Sequence, residues 1–268
     1  MAKKSNEWFC QNLTVKDTKR SDGTPVIDPD IIEQERIEGM EEALIQQEFY
    51  GSFEAQIAGA YFADQIAAAK EQGRVTKLPI EPSLMVHTAW DLGISDAMSI
   101  WLFQAIGKEI RLIGYYENNN KGMEHYIQWL NQYASTNGVM LGQHLAPHDI
   151  EVRELTSGRS RKDVAREMGI SFRTVQRPRS KAEGIQSIRR MFPRFWFDED
   201  KTEHGLNCIS SYHREFDEKR NVFRDMPVHD WASHGADALQ TLALGWQESM
   251  ITGRRPEPRQ AEVRFSVF

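Results

Sequence analysis

Three aspartates in this sequence are placed where they could do chemistry together: Asp91, Asp149 and Asp237. Asp91 closes the short apolar run Val86-His87-Thr88-Ala89-Trp90, precedes the Gly93 turn, and has another acid, Asp96, five positions on. Asp149 follows Ala146-Pro147-His148 at the exit of a second apolar run. Asp237 lies within His229-Asp230-Trp231-Ala232-Ser233-His234-Gly235-Ala236-Asp237-Ala238. Carboxylate oxygens are hard ligands that suit Mg2+ or Mn2+. Carboxylates crowded together also need a cation if all are to stay ionised. Two such ions about 4 Å apart can clamp the attacking and leaving oxygens of a phosphodiester. The chemistry at stake is metal-dependent hydrolysis with two divalent cations, on condition that the fold brings the acids together. Each acid by itself also reads as an ordinary turn or strand-end residue.

The elements that must position them follow from period and punctuation. Alternating or continuous apolar runs predict strands over 84–92, 98–106 and 109–117. The breaks between them are short, and Gly107-Lys108 suits a hairpin, so the three form an antiparallel meander. A helix over 123–134 leads to a fourth strand at 139–145. Helix 161–168, strand 171–176, helix 181–192 and a short run at 195–197 follow; strand–helix–strand order implies parallel additions to the sheet. Helix 205–214, a small hairpin within 215–226 and a last helix over 232–247 complete the pattern. The fold class expected is α/β: a mixed sheet, meander plus parallel strands, flanked by helices. In that sheet the first and fourth strands lie side by side, which joins Asp91 to Asp149, and the last helix presents Asp237 to the same point.

Ahead of the sheet, Asp22-Gly23-Thr24-Pro25 and Asp28-Pro29 are turn signals, with short helices expected over 31–39, capped by Asp30, and over 40–50. A helix over 59–73 ends on Gly73, and proline-bearing 78–82 links it to the first strand. The division expected is a mostly helical extension over 1–80, a catalytic domain over 81–250, and a flexible tail over 251–268.

The motifs Trp90-Asp91-Leu92-Gly93 with Asp96, Pro147-His148-Asp149, and His229 to Leu239 resemble the nuclease domain of tailed-bacteriophage terminase large subunits. The lead-in Gln47-Glu48-Phe49-Tyr50 and Gly59-Ala60-Tyr61-Phe62 resembles that family's segment between motor and nuclease, so the resemblance spans roughly residues 45–248. It implies a ribonuclease-H-like fold and metal-dependent cutting of concatemeric viral DNA during genome packaging, with Asp91, Asp149 and Asp237 as the metal-binding acids. It implies double-stranded DNA, an ATPase motor, a portal and a small terminase subunit as partners, in the cytoplasm of the infected bacterial host. One departure is plain: no Gly-x-x-x-x-Gly-Lys-Ser/Thr phosphate loop occurs, so the motor is absent from this chain and residues 1–80 read as its junction. A junction resolvase or other nuclease on the same fold, and a non-catalytic docking module between motor and portal, are the alternatives.

Other residues have two readings each. Asp96 assists the metal site from behind or caps the turn into the second strand. Asp230 and His234 orient the site or cap the last helix locally. His148 donates to a phosphate or simply exits its strand. His144 and His148 are four apart, but on a strand they lack the helical geometry of a zinc pair. From Arg159 to Lys181 the chain holds Arg159, Arg161, Lys162, Arg166, Arg173, Arg177, Arg179 and Lys181 against only Asp163 and Glu167. That excess, in a chain of net charge -6, is the footprint of contacts to a nucleic-acid backbone; a solvated helix face with local ion pairs is the plainer reading. The 268 residues, 40% hydrophobic and 27% charged, fit a globular protein with no membrane span and no signal peptide. Cys10 and Cys208 stand alone, which fits a reducing compartment.

Overall fold

The computed structural model describes residues 14–38, 40, 45, 49, 50, 59–93, 97–153, 158–217, 220 and 222–251. Asp96, nearly all of the expected helix over 40–50 and the tail after residue 251 lie outside them. Helix α1 (Pro29–Ile37) opens on Pro29, and its cap is Asp28, whose carboxylate accepts from the Asp30 amide; Asp30 itself lies inside the first turn. Helix α2 (Ala63–Glu71) ends at Gly73, where φ is +68°.

Seven strands form one mixed sheet. The expected meander is present as β2 (Val86–Asp91), β3 (Met98–Ile106) and β4 (Glu109–Asn118), antiparallel throughout. On the far side of β2 lies β5 (Leu141–Pro147), parallel and in register Ala89↔Leu145, and beyond it β6 (Phe172–Val175), parallel again. On the other side β7 (Phe195–Asp198) pairs parallel with β4, and β1 (Val75–Thr76) pairs parallel with β7. The two-residue β1 has too little period to be seen in the sequence; it is fixed instead by Arg74, whose buried guanidinium donates to the Phe192 and Phe195 carbonyls at 3.0 and 2.7 Å.

Helices cover both faces, and this explains why β3 reads as a continuous apolar run rather than an alternating one. On one face α3 (Met123–Asn137) and α4 (Arg161–Glu167) pack over Val86, Trp90, Ile100 and Leu102. On the other, α5 (Lys181–Met191), α6 (Glu203–Ser211), α7 (Trp231–Gly245) and α2 pack over Ala89, Trp101, Phe103 and Leu145. Trp90 and Ala89 thus serve opposite faces. The period of two then sends Asp91 to the Ala89 side, under α7. A separate ribbon, β8 (Arg214–Asp217) with β9 (Val222–Pro227), matches the expected hairpin.

Two buried histidines pin β2 to β5. The Gln143 amide donates to His87 Nδ1 at 2.8 Å, and His87 Nε2 lies 3.2 Å from the Met250 carbonyl, so His87 is held neutral with its proton on Nε2. His144 Nδ1 meets the Thr88 hydroxyl at 2.7 Å, and that hydroxyl also accepts from Trp90 Nε1. Burial pushes both imidazoles down to about 4. Between that value and the ordinary 6.5 the unfolded chain binds the extra protons, so stability present above pH 6.5 is lost as pH falls toward 4. Denaturant titrations at pH 7, 6, 5 and 4 should show this decline, of at most about 3 kcal/mol per histidine. His144→Gln should flatten it, and an unchanged pH profile in that variant would contradict the account.

Candidate active site

Asp91 is the last residue of β2. The strand β5 ends at Pro147, two residues later than its apolar run suggests, and Asp149 then sits in a single 3-10 turn, His148–Glu151, rather than on the strand itself. Parallel pairing brings the two chain exits to the same sheet edge. Asp237 lies on α7 in the second turn. The helix is started by Asp230, whose carboxylate accepts from the Ala232 amide at 2.9 Å, so the capping reading of Asp230 is the one its geometry displays.

These exits open onto one cleft of about 450 Å³, lined by Asp91, His148, Asp149 and Asp237 among others. Its second wall is the segment Gln176 to Ser180 between β6 and α5, together with Lys181, which adds Arg177 and Arg179. Asp91 and Asp237 side chains are only 24% and 23% exposed, whereas Asp149 is 58% exposed and stands at the mouth. Burial raises the proton affinity of Asp91, the charge of Asp237 raises it further, and a hydrogen bond from His234 opposes both. His234 Nδ1 is 3.4 Å from Asp91 Oδ2. One turn along the same helix face, Asp237 receives Lys181 Nζ at 3.0 and 3.1 Å. His148 Nε2 lies 3.0 Å from Asp149 Oδ1. Each acid of the cleft is therefore matched by a basic side chain. An all-carboxylate donor set whose acids draw nitrogen bases in this way fits a hard divalent cation.

The basic run separates once folded. Arg177, Arg179 and Lys181 face the cleft. Arg159 pairs with Glu167, Arg166 with Asp163 at 3.0 Å, and Lys162 with Glu151 at 2.6 Å. Arg161 opens α4 behind the Ser160–Asp163 capping box, and Arg173 donates to the Gly245 carbonyl. Two cleft residues escape a reading of the sequence for charge: Gln240 and Thr241. They lie three and four positions beyond Asp237 on α7, so helical spacing from that acid would have found them.

No protein-family model matches this chain, and no curated protein matches it. Solved structures do. The large terminase of a thermophilic bacteriophage is similar over 83% of this chain and 53% of its own, at 15% identity and a TM-score of 0.53. The same protein in complex with ADP gives a TM-score of 0.51 at 15% identity, over 81% of this chain and 52% of that one. The nuclease domain of the P22 large terminase is similar over 65% of this chain and 88% of its own, at 15% identity and a TM-score of 0.47. The chain thus spans about half the length of the thermophilic phage's large terminase. The likeness is one of fold: the chain has the ribonuclease-H-like α/β architecture, a seven-stranded mixed sheet between helices.

The burial of Asp91 beside Asp237 has a measurable cost in metal-free protein. Asp91→Asn keeps an acceptor for His234 and removes the charge, so at pH 7 without divalent ions its Tm should exceed that of the parent. Each kcal/mol relieved corresponds to about 2–4 °C in a domain of this size. Thermal melts in chelator check this; a clear fall in Tm would show that the carboxylate is held by attraction rather than strained by burial.

Proposed function

We propose that this chain is a metal-dependent endonuclease acting on double-stranded DNA, the cutting part of a viral genome-packaging machine. The observation that carries the reading is the gathering of Asp91, Asp149 and Asp237 around one cleft whose other wall is basic. Two divalent cations, Mg2+ or Mn2+, would be held there by these three carboxylates. When bound, such a pair activates water at neutral pH and neutralises charge on the leaving oxygen. The chain's own residues do the rest. His234 orients the Asp91 carboxylate through Nδ1. Asp237 would hold the cation in place of the Lys181 ammonium, 3.0 Å from its Oδ1, and Lys181 Nζ would then be placed to hold a phosphate oxygen. Arg177 and Arg179, both exposed on the wall, bind flanking phosphates, and His148 at the mouth is placed to donate to another. Such contacts carry no base information, so cutting is expected to be indiscriminate.

The thermophilic phage's large terminase, matched over about half its length, binds ADP. Nucleotide-driven movement of DNA is therefore assigned to a motor partner, and a portal and a small terminase subunit complete the assembly in the cytoplasm of the infected cell. Arg159, Arg161, Lys162, Arg166 and Arg173 all lie outside the cleft and extend the DNA path along α4 and β6. Among the described residues no helix is long and apolar enough to cross a membrane.

A plasmid-nicking assay tests the reading. At low salt with Mn2+ the chain should convert supercoiled DNA to a smear, need no ATP, and stop with chelator. Asp91→Asn and Asp237→Asn should each lose more than about 100-fold in rate, beyond the roughly 10–100-fold typical of groups that only support a ligand. Retained cutting in either variant, or discrete fragments, would sink the assignment.

Binding can be measured apart from cutting. Arg177→Gln and Arg179→Gln should each reduce the slope of log affinity against log salt by about 0.9, one phosphate contact apiece, equally for unrelated DNA sequences. Fluorescence anisotropy in Ca2+ across a salt series reads this, and an unchanged slope would leave the wall without a role in DNA binding.

A further inference from the structure

We propose that Glu117, His204 and Cys208 form a second metal site, separate from the aspartate cleft, that takes Zn2+ through one carboxylate oxygen, one imidazole nitrogen and one thiolate. The three side chains come from two elements on the α7 side of the sheet. His204 and Cys208 are four apart on α6, one turn, and so share a helix face. Glu117 stands near the end of β4, beside them. One ligand atom of each lies within 4.8 Å of the other two, and theirs is the only such grouping among the described residues. His204 Nε2 and Glu117 Oε1 are 3.4 Å apart. Two ligands on a tetrahedral zinc, at bond lengths of about 2.0–2.1 Å, are separated by about 3.3 Å. That edge of the site already has its working length, and the sulfur, within 4.8 Å of both other ligand atoms, needs to close by about 1.3 Å at most.

The surroundings support a site rather than an accidental contact. Cys208 is fully buried, and its sulfur makes long polar contacts, 3.9 Å to the Tyr115 hydroxyl and 3.9 Å to the Trp231 carbonyl. The Tyr115 hydroxyl donates to the second oxygen of Glu117, the outer-shell contact that fixes a ligating carboxylate. His204 lies between the rings of Tyr115 and Trp231, at 5.6 and 6.1 Å, so its plane is set while its edge remains accessible. Glu117 also lines a hollow of about 350 Å³ together with Asn119, His229, Asp230, Trp231 and His234. Three protein ligands with one open position is an ordinary arrangement for zinc.

Chemistry separates this site from the cleft. A thiolate selects a soft or borderline ion, while the all-oxygen cleft selects a hard one. A cysteine ligand binds as thiolate, so an ion bound there must displace the thiol proton, which hard Mg2+ and Mn2+ do poorly. The site also touches the helix that carries His234 and Asp237: a Cβ at Gly235 would stand 2.6 Å from Cys208 Cβ. An ion here ties β4 and α6 to α7 and steadies that helix, whether or not the cleft cuts DNA.

The test uses the full chain with Cys10→Ser, which leaves Cys208 as its single thiol. One equivalent of Co2+ should give thiolate-to-cobalt charge-transfer absorption together with the visible bands of a four-coordinate ion. Zn2+ should bleach both and raise the Tm. Cys208→Ser should abolish the charge-transfer band, and His204→Gln should weaken Co2+ binding by about tenfold or more. Asp91→Asn should leave the spectrum unchanged. The absence of a charge-transfer band in the Cys10→Ser protein overturns the proposal, as does a spectrum that responds to Asp91 rather than to Cys208. Should Cys208→Ser fail to fold, unaltered Co2+ affinity in His204→Gln, whose side chain is more than half exposed, overturns it equally.

Discussion

The parallel pairing of β2 with β5 is the constraint on which the rest of the structure depends. It sets Ala89 opposite Leu145, and with that register both strands leave the sheet on the same side. Asp91 and the His148–Glu151 turn are then neighbours by construction. A register slip of one residue would turn Asp91 to the α3 face and Trp90 toward α7. Trp90 resists that slip, since its ring stands edge-on to Phe172 at 5.0 Å and its indole nitrogen is committed to Thr88. The same Thr88 hydroxyl reaches His144 across the strand pair. The pairing is thus held by a small buried polar network beside a large aromatic contact, and the geometry of the cleft is a by-product of that packing.

The cleft shows a second constraint, one of charge. Asp91 and Asp237 are both mostly buried, and each would be costly if left uncompensated. The chain answers with His234 and Lys181, one on α7 and one at the start of α5. Ser180 caps α5 by accepting from the Glu183 amide, and this places Lys181 at the first helical position, directly over Asp237. Each of these two mostly buried carboxylates thus has a nitrogen base from α7 or α5 against it.

The close approach of α6 and α7 has a matching cause. Gly235 has no side chain, so Cys208 can sit against the α7 backbone, and Gly205 lets the Trp101 ring slide beneath α6. Trp101 Nε1 donates to the Gly235 carbonyl at 2.9 Å, which locks the two helices onto the sheet. That packing holds α7 where Asp237 meets the strand ends, and it is also what brings Cys208 within reach of Glu117.

Read alone, the sequence determined the meander, the parallel additions and the β8–β9 ribbon, because each is written in local period or turn chemistry, and it singled out the three acids as candidates. The exit of β2 on Asp91 follows from alternation, and the cap at Asp230 from residue type. The expectation that these acids share one site came from the strand order, and the resemblance to terminase nucleases implied their role as metal-binding acids. Only the tertiary structure decided the remainder. The strand β1 exists because β7 offers an edge and Arg74 finds two carbonyls, neither visible within a two-residue run. The basic run divides into cleft-facing Arg177, Arg179 and Lys181 and locally paired Arg159, Lys162 and Arg166, since a charge's partner depends on which elements meet in space. The grouping of Glu117 with His204 and Cys208 joins residues 87 and 91 positions apart. Local propensity is silent about such pairs, because their distance is fixed by how the helices pack on the sheet and not by anything within reach along the chain.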